Sequence, residues 1–289
     1  MTSHGEPIGG VVGFLKSLSY LVNTFSPSIV FNALESGGNS RRRNIYPEYK
    51  KGLKPLKLNR YYEEDIPNTF ENKIKQSLIL IKLLDKTPVQ QLFVEDCEGD
   101  DIINYICSKY VDYNIVIVST DRDYYQLVNE KIKIYNPIKK TIVTEKEIIK
   151  EYFIQPCNFA IAKSICGDYS DNISGVKGCG FKTIAKKVPM LMSKQNLLLD
   201  DVIKFISSKR NDEKFYMSVF NEIPVIKRNW KLVYLTTNNL SSYQINKLEY
   251  MIDNHQKKFD INSFVQLLNE FSIINFDISL FSQSIKKLL

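Results

Sequence analysis

The chain has 289 residues, of which 44% are hydrophobic and 25% charged, with a formal net charge of +7. That composition suits a globular protein with a sizeable core and excludes collagen-like, low-complexity and disordered classes; no apolar run approaches the roughly 18 residues of a membrane span, and Met1–Pro7 has no secretory pattern. Five scattered cysteines with no C-x-x-C pair, and only two histidines, leave little material for a disulfide framework, a zinc site or a Ser-His-Asp triad, so hydrolytic chemistry has to draw on carboxylates, metals or lysine.

In chain order, Val11–Phe25 has the apolar spacing of a helix, and Ser28–Phe31 reads as a short strand ending at Asn32. Between Arg41 and Arg60 eight basic residues face one acid, Glu48, so these twenty positions carry a charge equal to that of the whole chain. Tyr46, Tyr49, Tyr61 and Tyr62 flank or interrupt the run, which suits a polyanion with stacking faces, namely nucleic acid; a solvated face is the plainer reading of such a run. Asn68–Leu84 reads as a helix and Gln91–Val94 as a strand that leads into Glu98-Gly99-Asp100-Asp101. Asp101–Tyr110 is helical in period. Ile115–Val118 is the clearest strand, continuous and β-branched, expected to be buried on both faces, and it leads into Ser119-Thr120-Asp121-Arg122-Asp123. A helix over 123–129, a half-buried strand over Lys131–Tyr135 and helices over 143–152 and 158–166 follow. Strands alternating with helices predict an α/β class with a mostly parallel sheet flanked by helices. A boundary falls near residue 167, giving a core over 1–166 and a helical region over 167–289.

In an open parallel sheet, ligands bind beyond the carboxyl ends of the strands. Two acidic clusters lie at such ends, and a third, Asp168 with Asp171, opens the helical region. Any one of them could simply cap the helix that follows. Together, Glu98, Asp100, Asp101, Asp121, Asp123, Asp168 and Asp171 repel one another unless divalent cations compensate. All-oxygen ligation points to Mg²⁺ or Mn²⁺, and two such ions suit phosphodiester cleavage. The next segment, Ile173–Thr183, holds three glycines and Lys182, with Lys186 just beyond. It reads as a helix–hairpin–helix phosphate grip or a tight interhelical turn; its spacing is not that of a P-loop.

These motifs resemble the 5′-nuclease superfamily of flap endonucleases, polymerase I exonuclease domains and phage 5′-exonuclease/RNase H proteins. Glu98–Asp101 is similar to its E-x-D-D, and Ser119–Asp123 with Gln126-Leu127-Val128 to its S-x-D-x-D…Q-L-V. Gly167–Ala185 is similar to G-D-x-x-D-N-I-x-G-V-x-G-x-G-x-K-T-A, with one extra residue before Ala185, and Tyr46–Lys50 to Y-P-x-Y-K. The resemblance implies a PIN-like α/β core, a helical arch over about 36–66 and a helix–three-turn–helix element over 167–188. It implies two divalent ions held by the seven carboxylates, with Lys50, Asp100 and Asp121 catalytic. DNA contacts are implied for Arg41, Arg42, Arg43, Lys50, Lys51, Gly175, Val176, Gly178, Gly180, Lys182, Thr183 and Lys186, with a monovalent cation such as K⁺ at the hairpin. The implied substrates are branched or 5′-ended duplex DNA and RNA–DNA hybrids. The expected setting is a monomer acting with replication proteins in the cytoplasm, the host's if the chain is phage-encoded, with no membrane partner.

Two departures bear on activity. The family's first strand, ending in an acidic ligand, precedes the segment that Gly5–Gly10 resembles, and Asn32 stands where the family carries the aspartate of V-F-D. Slow cleavage is therefore expected, with structure-specific DNA binding and reduced or lost cleavage as the alternative. A PIN-type ribonuclease is disfavoured by the hairpin element. Trp230 is expected in the core, His255 on the surface, and Cys97 as a buried filler.

Overall fold

The computed structural model describes residues 7–35, 39–52, 70–274 and 276–289. Much of the expected arch, including Lys54, Lys57 and Arg60, lies outside these residues. The described elements are α1 (Gly9–Phe25), β1 (Phe31–Leu34), α2 (Ser40–Ile45), α3 (Phe70–Leu84), β2 (Gln90–Phe93), α4 (Gly99–Lys109), β3 (Ile115–Val118), β4 (Ile132–Asn136), β5 (Thr141–Val143), α5 (Glu145–Tyr152) and α6 (Phe159–Cys166). They continue with β6 (Gly167–Asp168), β7 (Ile173–Ser174), α7 (Phe181–Lys187), α8 (Leu199–Ser208), α9 (Lys214–Asn221), α10 (Ile223–Val233), α11 (Ser242–Asp253), α12 (Ile261–Glu270) and α13 (Ile278–Ile285). The mixed α/β class is as the sequence predicts. No described helix is long and apolar enough to cross a membrane.

The chain forms two compact units, one of Met1–Leu34, Leu53–Val94 and Ile245–Leu289, the other of Glu35–Gly52 and Glu95–Gln244. This division differs from the boundary expected near residue 167. In the first unit, Val11, Leu15, Leu18 and Val22 recur at helical spacing on α1 and are buried in one cluster with Leu83, Leu84, Phe264 and Phe281. Phe264 and Phe281 stack at 5.0 Å. β1 pairs in parallel with β2, Asn32 opposite Gln91. β1 lies three residues beyond the expected start at Ser28. His255 is half-buried, its Nε2 3.1 Å from the Pro88 carbonyl.

In the second unit β3 and β4 are parallel and β4 and β5 antiparallel. β3 pairs only with β4 among the described residues, so it is an edge strand. The expectation that it is buried on both faces is corrected accordingly: Ile117 is buried, but Val118 is 44% exposed. The run over 122–127 is a 3₁₀ helix. The core gathers Ile117, Ile134, Ile148, Phe159 and Ile161. Helix α5 starts with a capping box, Thr144 and Glu147 bonding each other's backbone reciprocally. Trp230 packs against this core and stacks on Tyr234 at 4.1 Å, and Cys97 is buried at 2% exposure with its thiol pushed up to about 12 by burial.

The hairpin between α6 and α7 depends on two glycines. A Cβ on Gly175 would lie 2.0 Å from the Cys166 carbonyl oxygen, and one on Gly167, whose φ is +77°, 2.3 Å from the Gly175 nitrogen. Only glycine lets these backbones meet.

Candidate metal centre

Every acidic cluster reaches the site from the start of a helix or turn in the second unit. Asp100 and Asp101 occupy the first turn of α4, where the helix dipole favours negative charge. Asp121 follows β3 and caps the 3₁₀ helix, accepting from the Asp123 N–H at 2.9 Å. Asp168 follows α6 and accepts from the backbone and hydroxyl of Ser170 at 2.8 and 2.6 Å. These turns bring carboxylate oxygens of Asp100, Asp121 and Asp123 within 4.8 Å of one another, and likewise those of Asp123, Asp168 and Asp171. Asp123 belongs to both groups.

The remaining two predicted ligands are placed differently. Asp101 is 4% exposed and takes a bidentate pair from Arg42, at 2.7 and 3.0 Å. Its oxygens are committed to that cation, outside both groups. Glu98 is 2% exposed; its Oε2 accepts from Tyr49 at 3.1 Å and Lys50 at 3.0 Å and lies 3.4 Å from Arg42. Glu98 Oε1 is buried with no hydrogen-bond partner.

Arg42 therefore corrects the reading of the basic run as a row of duplex contacts. It is 3% exposed, and its Nε donates to the Leu232 carbonyl at 3.0 Å. Arg41 is half-buried and donates to the Lys231 carbonyl at 3.2 Å, whereas Arg43 and Lys51 are exposed. Val176 is also buried, with its N–H donated to the Ile165 carbonyl. Gly178, Gly180, Lys182 and Lys186 are exposed, and Gly175 and Thr183 half-buried. Lys50 is held beside the carboxylates by its backbone: φ is +50°, and its N–H donates to the Asp171 carbonyl at 2.9 Å.

The residues that sequence reasoning missed are the counter-ions and donors. Lys163, on α6, is 4% exposed and pairs with both Asp123 and Asp168, the latter at 2.6 Å. Its signal was a lone cation in the apolar helix Phe159–Cys166, since a buried lysine needs a partner. The Tyr124 hydroxyl donates to Asp100 Oδ1.

The electrostatics follow the geometry. Burial, reinforced by the charge of Asp121 and opposed by the Tyr124 bond, raises Asp100 to about 6. Burial would raise Asp168 too, but the charge and hydrogen bond of Lys163, with the Ser170 donors, outweigh it and hold Asp168 at about 2. Asp171 is raised by burial against the pull of Lys50. Lys50 is penalised by burial, yet Glu98 and Asp171 leave its pKa above the ordinary value.

Five carboxylates with two nearby ammonium groups form a hard, all-oxygen donor set with excess negative charge. These residues fit hard divalent cations, which take oxygen ligands.

Residues 1–153 match the model of the 5′-3′ exonuclease N-terminal resolvase-like domain. The chain is 31% identical over 199 residues to the thermostable DNA polymerase I of Thermus thermophilus, covering 68% of this chain but 22% of the polymerase, about a fifth of its length. It is 26% identical over 280 residues to the 5′-3′ exonuclease of Aquifex aeolicus, covering 93% of this chain and 84% of that one. The fold is shared with T5 5′-exonuclease solved with bound zinc, at a TM-score of 0.62 and 20% identity over 93% of each chain. The chain belongs to the 5′-3′ exonuclease family of the 5′-nuclease superfamily.

Proposed function

We propose that the chain is a divalent-metal-dependent 5′→3′ exonuclease and flap endonuclease that hydrolyses phosphodiesters in branched or 5′-ended duplex DNA, and in RNA–DNA hybrids, during replication or repair. The observation that carries this reading is the convergence of Asp100, Asp121, Asp123, Asp168 and Asp171 from three separate turns. These residues would hold two ions, Mg²⁺ or Mn²⁺, which when bound supply an acidified water and charge stabilisation on the leaving oxygen. Lys50 stays protonated and offers its ammonium to charge developing on the phosphate. Glu98 anchors Lys50 and Tyr49 while staying outside the tight carboxylate groups. Exposed Arg43, Lys51, Lys182 and Lys186 would contact DNA phosphates, with the hairpin over 167–188 gripping the duplex through backbone groups, a K⁺ ion among them. Monomeric action alongside replication proteins, in the cytoplasm, belongs to the same reading.

The test is a 5′-labelled flapped duplex incubated with the chain in Mg²⁺, Mn²⁺ or EDTA. Expected are short 5′ products released near the branch, only with Mg²⁺ or Mn²⁺. Asn32 favours a second reading, DNA binding with slow or lost cleavage, because an uncharged amide stands where the family carries an acid, and its buried Nδ2 has no hydrogen-bond partner. Asn32→Asp should then raise the rate. Tight flap binding with no cleavage in either ion would favour the second reading over the first.

A further inference from the structure

Tyr124 lies in the 3₁₀ helix over 122–127, directly after the candidate ligands Asp121 and Asp123. It is 5% exposed, in one core cluster with Cys107, Ile117, Val128 and Ile132. Close packing leaves its ring little rotamer freedom, so its hydroxyl is aimed, and it donates to Asp100 Oδ1 in the first turn of α4. One turn of chain thus supplies two carboxylates of the Asp100–Asp121–Asp123 group and a donor that fixes the third. Neighbouring carboxylates are engaged in the same way. Asp121 Oδ1 accepts from the Asp123 N–H at 2.9 Å, and Asp168 Oδ1 accepts from the Ser170 N–H at 2.8 Å and the Ser170 hydroxyl at 2.6 Å. Those donors belong to the same turn as the carboxylate they hold. Tyr124 instead reaches a carboxylate 24 residues away on another element.

A carboxylate with one oxygen occupied by a protein donor, and its plane fixed by that bond, offers a cation single-oxygen ligation. Such ligation suits Mg²⁺, which demands short, near-octahedral contacts and keeps several waters. Ca²⁺ is larger, takes six to eight oxygens and accepts carboxylates that turn to present both. We propose that Tyr124 is a positioning residue that sets cation specificity: its hydroxyl holds Asp100 to single-oxygen ligation and so biases the Asp100–Asp121–Asp123 group toward Mg²⁺-sized ions and against Ca²⁺. The inference rests on the divalent-metal reading of these carboxylates and adds which ions the group selects. Tyr124 acts through Asp100 and needs no contact with the substrate.

The test reads metal binding without DNA or cleavage. Mn²⁺ bound to the full chain is followed by electron paramagnetic resonance and displaced with Mg²⁺ or with Ca²⁺. The unaltered chain is compared with Tyr124→Phe, with Asp100→Asn and with the double variant. Tyr124→Phe keeps the ring in the core and removes only the hydroxyl, and a cooperative thermal melt shows that each variant is folded. In Tyr124→Phe, the Ca²⁺ concentration needed for displacement, relative to that of Mg²⁺, should fall about tenfold, the scale on which a partner of a ligand tunes metal affinity. Adding Tyr124→Phe to Asp100→Asn should give no further shift, because the hydroxyl acts through that carboxylate. A merely structural role would weaken both ions alike. An unchanged ratio, or a shift of equal size in the Asp100→Asn background, would overturn the proposal while leaving the metal reading intact. Absence of saturable Mn²⁺ binding by the unaltered chain would overturn both.

Discussion

Single carboxylates in this site carry opposite stability signatures. Asp100 is raised to about 6 in the fold, whereas an unfolded aspartate titrates near 3.9. The fold therefore binds that proton more tightly. Stability is lost as pH rises from about 4 to about 6, and the full penalty persists above. In metal-free protein, Asp100→Asn should be more stable than the unaltered chain at pH 8 by up to about 3 kcal/mol. The gain should shrink below pH 6 and vanish near pH 4, in urea melts with EDTA; a pH-independent difference would contradict it. Asp168, held at about 2, has the reverse sign, stabilising above pH 4 and losing that contribution as pH falls toward 2. Lys163 is the cation on which Asp123 and Asp168 depend. Lys163→Met should cost about 3–5 kcal/mol without metal, since it strands buried charge, and saturating Mn²⁺ should recover much of the loss by binding the folded state. Thermal melts with and without Mn²⁺ decide this, and an equal deficit in both would show that Lys163 serves packing alone.

At the scale of elements, the basic run divides by burial. Helix α2 is fastened to α10 by Arg42 on the Leu232 carbonyl and by Arg41 on the Lys231 carbonyl, and Arg228 lies 4.0 Å over the Tyr46 ring. Arg42→Ala should destabilise the chain by about 3–5 kcal/mol, because Asp101 and Glu98 lose their cation. Arg43→Ala should leave the melting temperature unchanged and lower the log–log salt slope of DNA binding by about one. Equal melting losses from both substitutions would contradict the division. None of this was visible in Arg41–Arg43 as three adjacent charges, since the partner of Arg42 sits 59 residues away. The strand over Ile115–Val118 was legible from its own residues, as was α1 from its apolar spacing. The three-residue β5 was not, because so short a segment leaves no period to read and is defined by its pairing with β4. Asp100, Asp121, Asp123, Asp168 and Asp171 were legible as candidate ligands because each motif is local. The roles of Lys163 and Tyr124 were not legible, because their partners are set by tertiary packing.

In the whole molecule, carboxylates on three distant stretches of chain converge on one centre, the one proposed to carry metal-dependent phosphodiester cleavage. Asp123 is the residue that belongs to both oxygen groups, whereas Asp101 is bound to Arg42. The most direct measurement is single-turnover cleavage of a 5′-labelled flapped duplex in millimolar Mn²⁺ by the unaltered chain and by Asp123→Asn, with DNA binding measured in parallel in Ca²⁺. The expected result is metal-dependent release of the 5′ flap by the unaltered chain and at least a hundredfold slower release by Asp123→Asn, about 2.7 kcal/mol at the transition state, with DNA affinity within a few-fold of the unaltered chain. Cleavage that survives Asp123→Asn undiminished, or that proceeds equally well in EDTA, would contradict it.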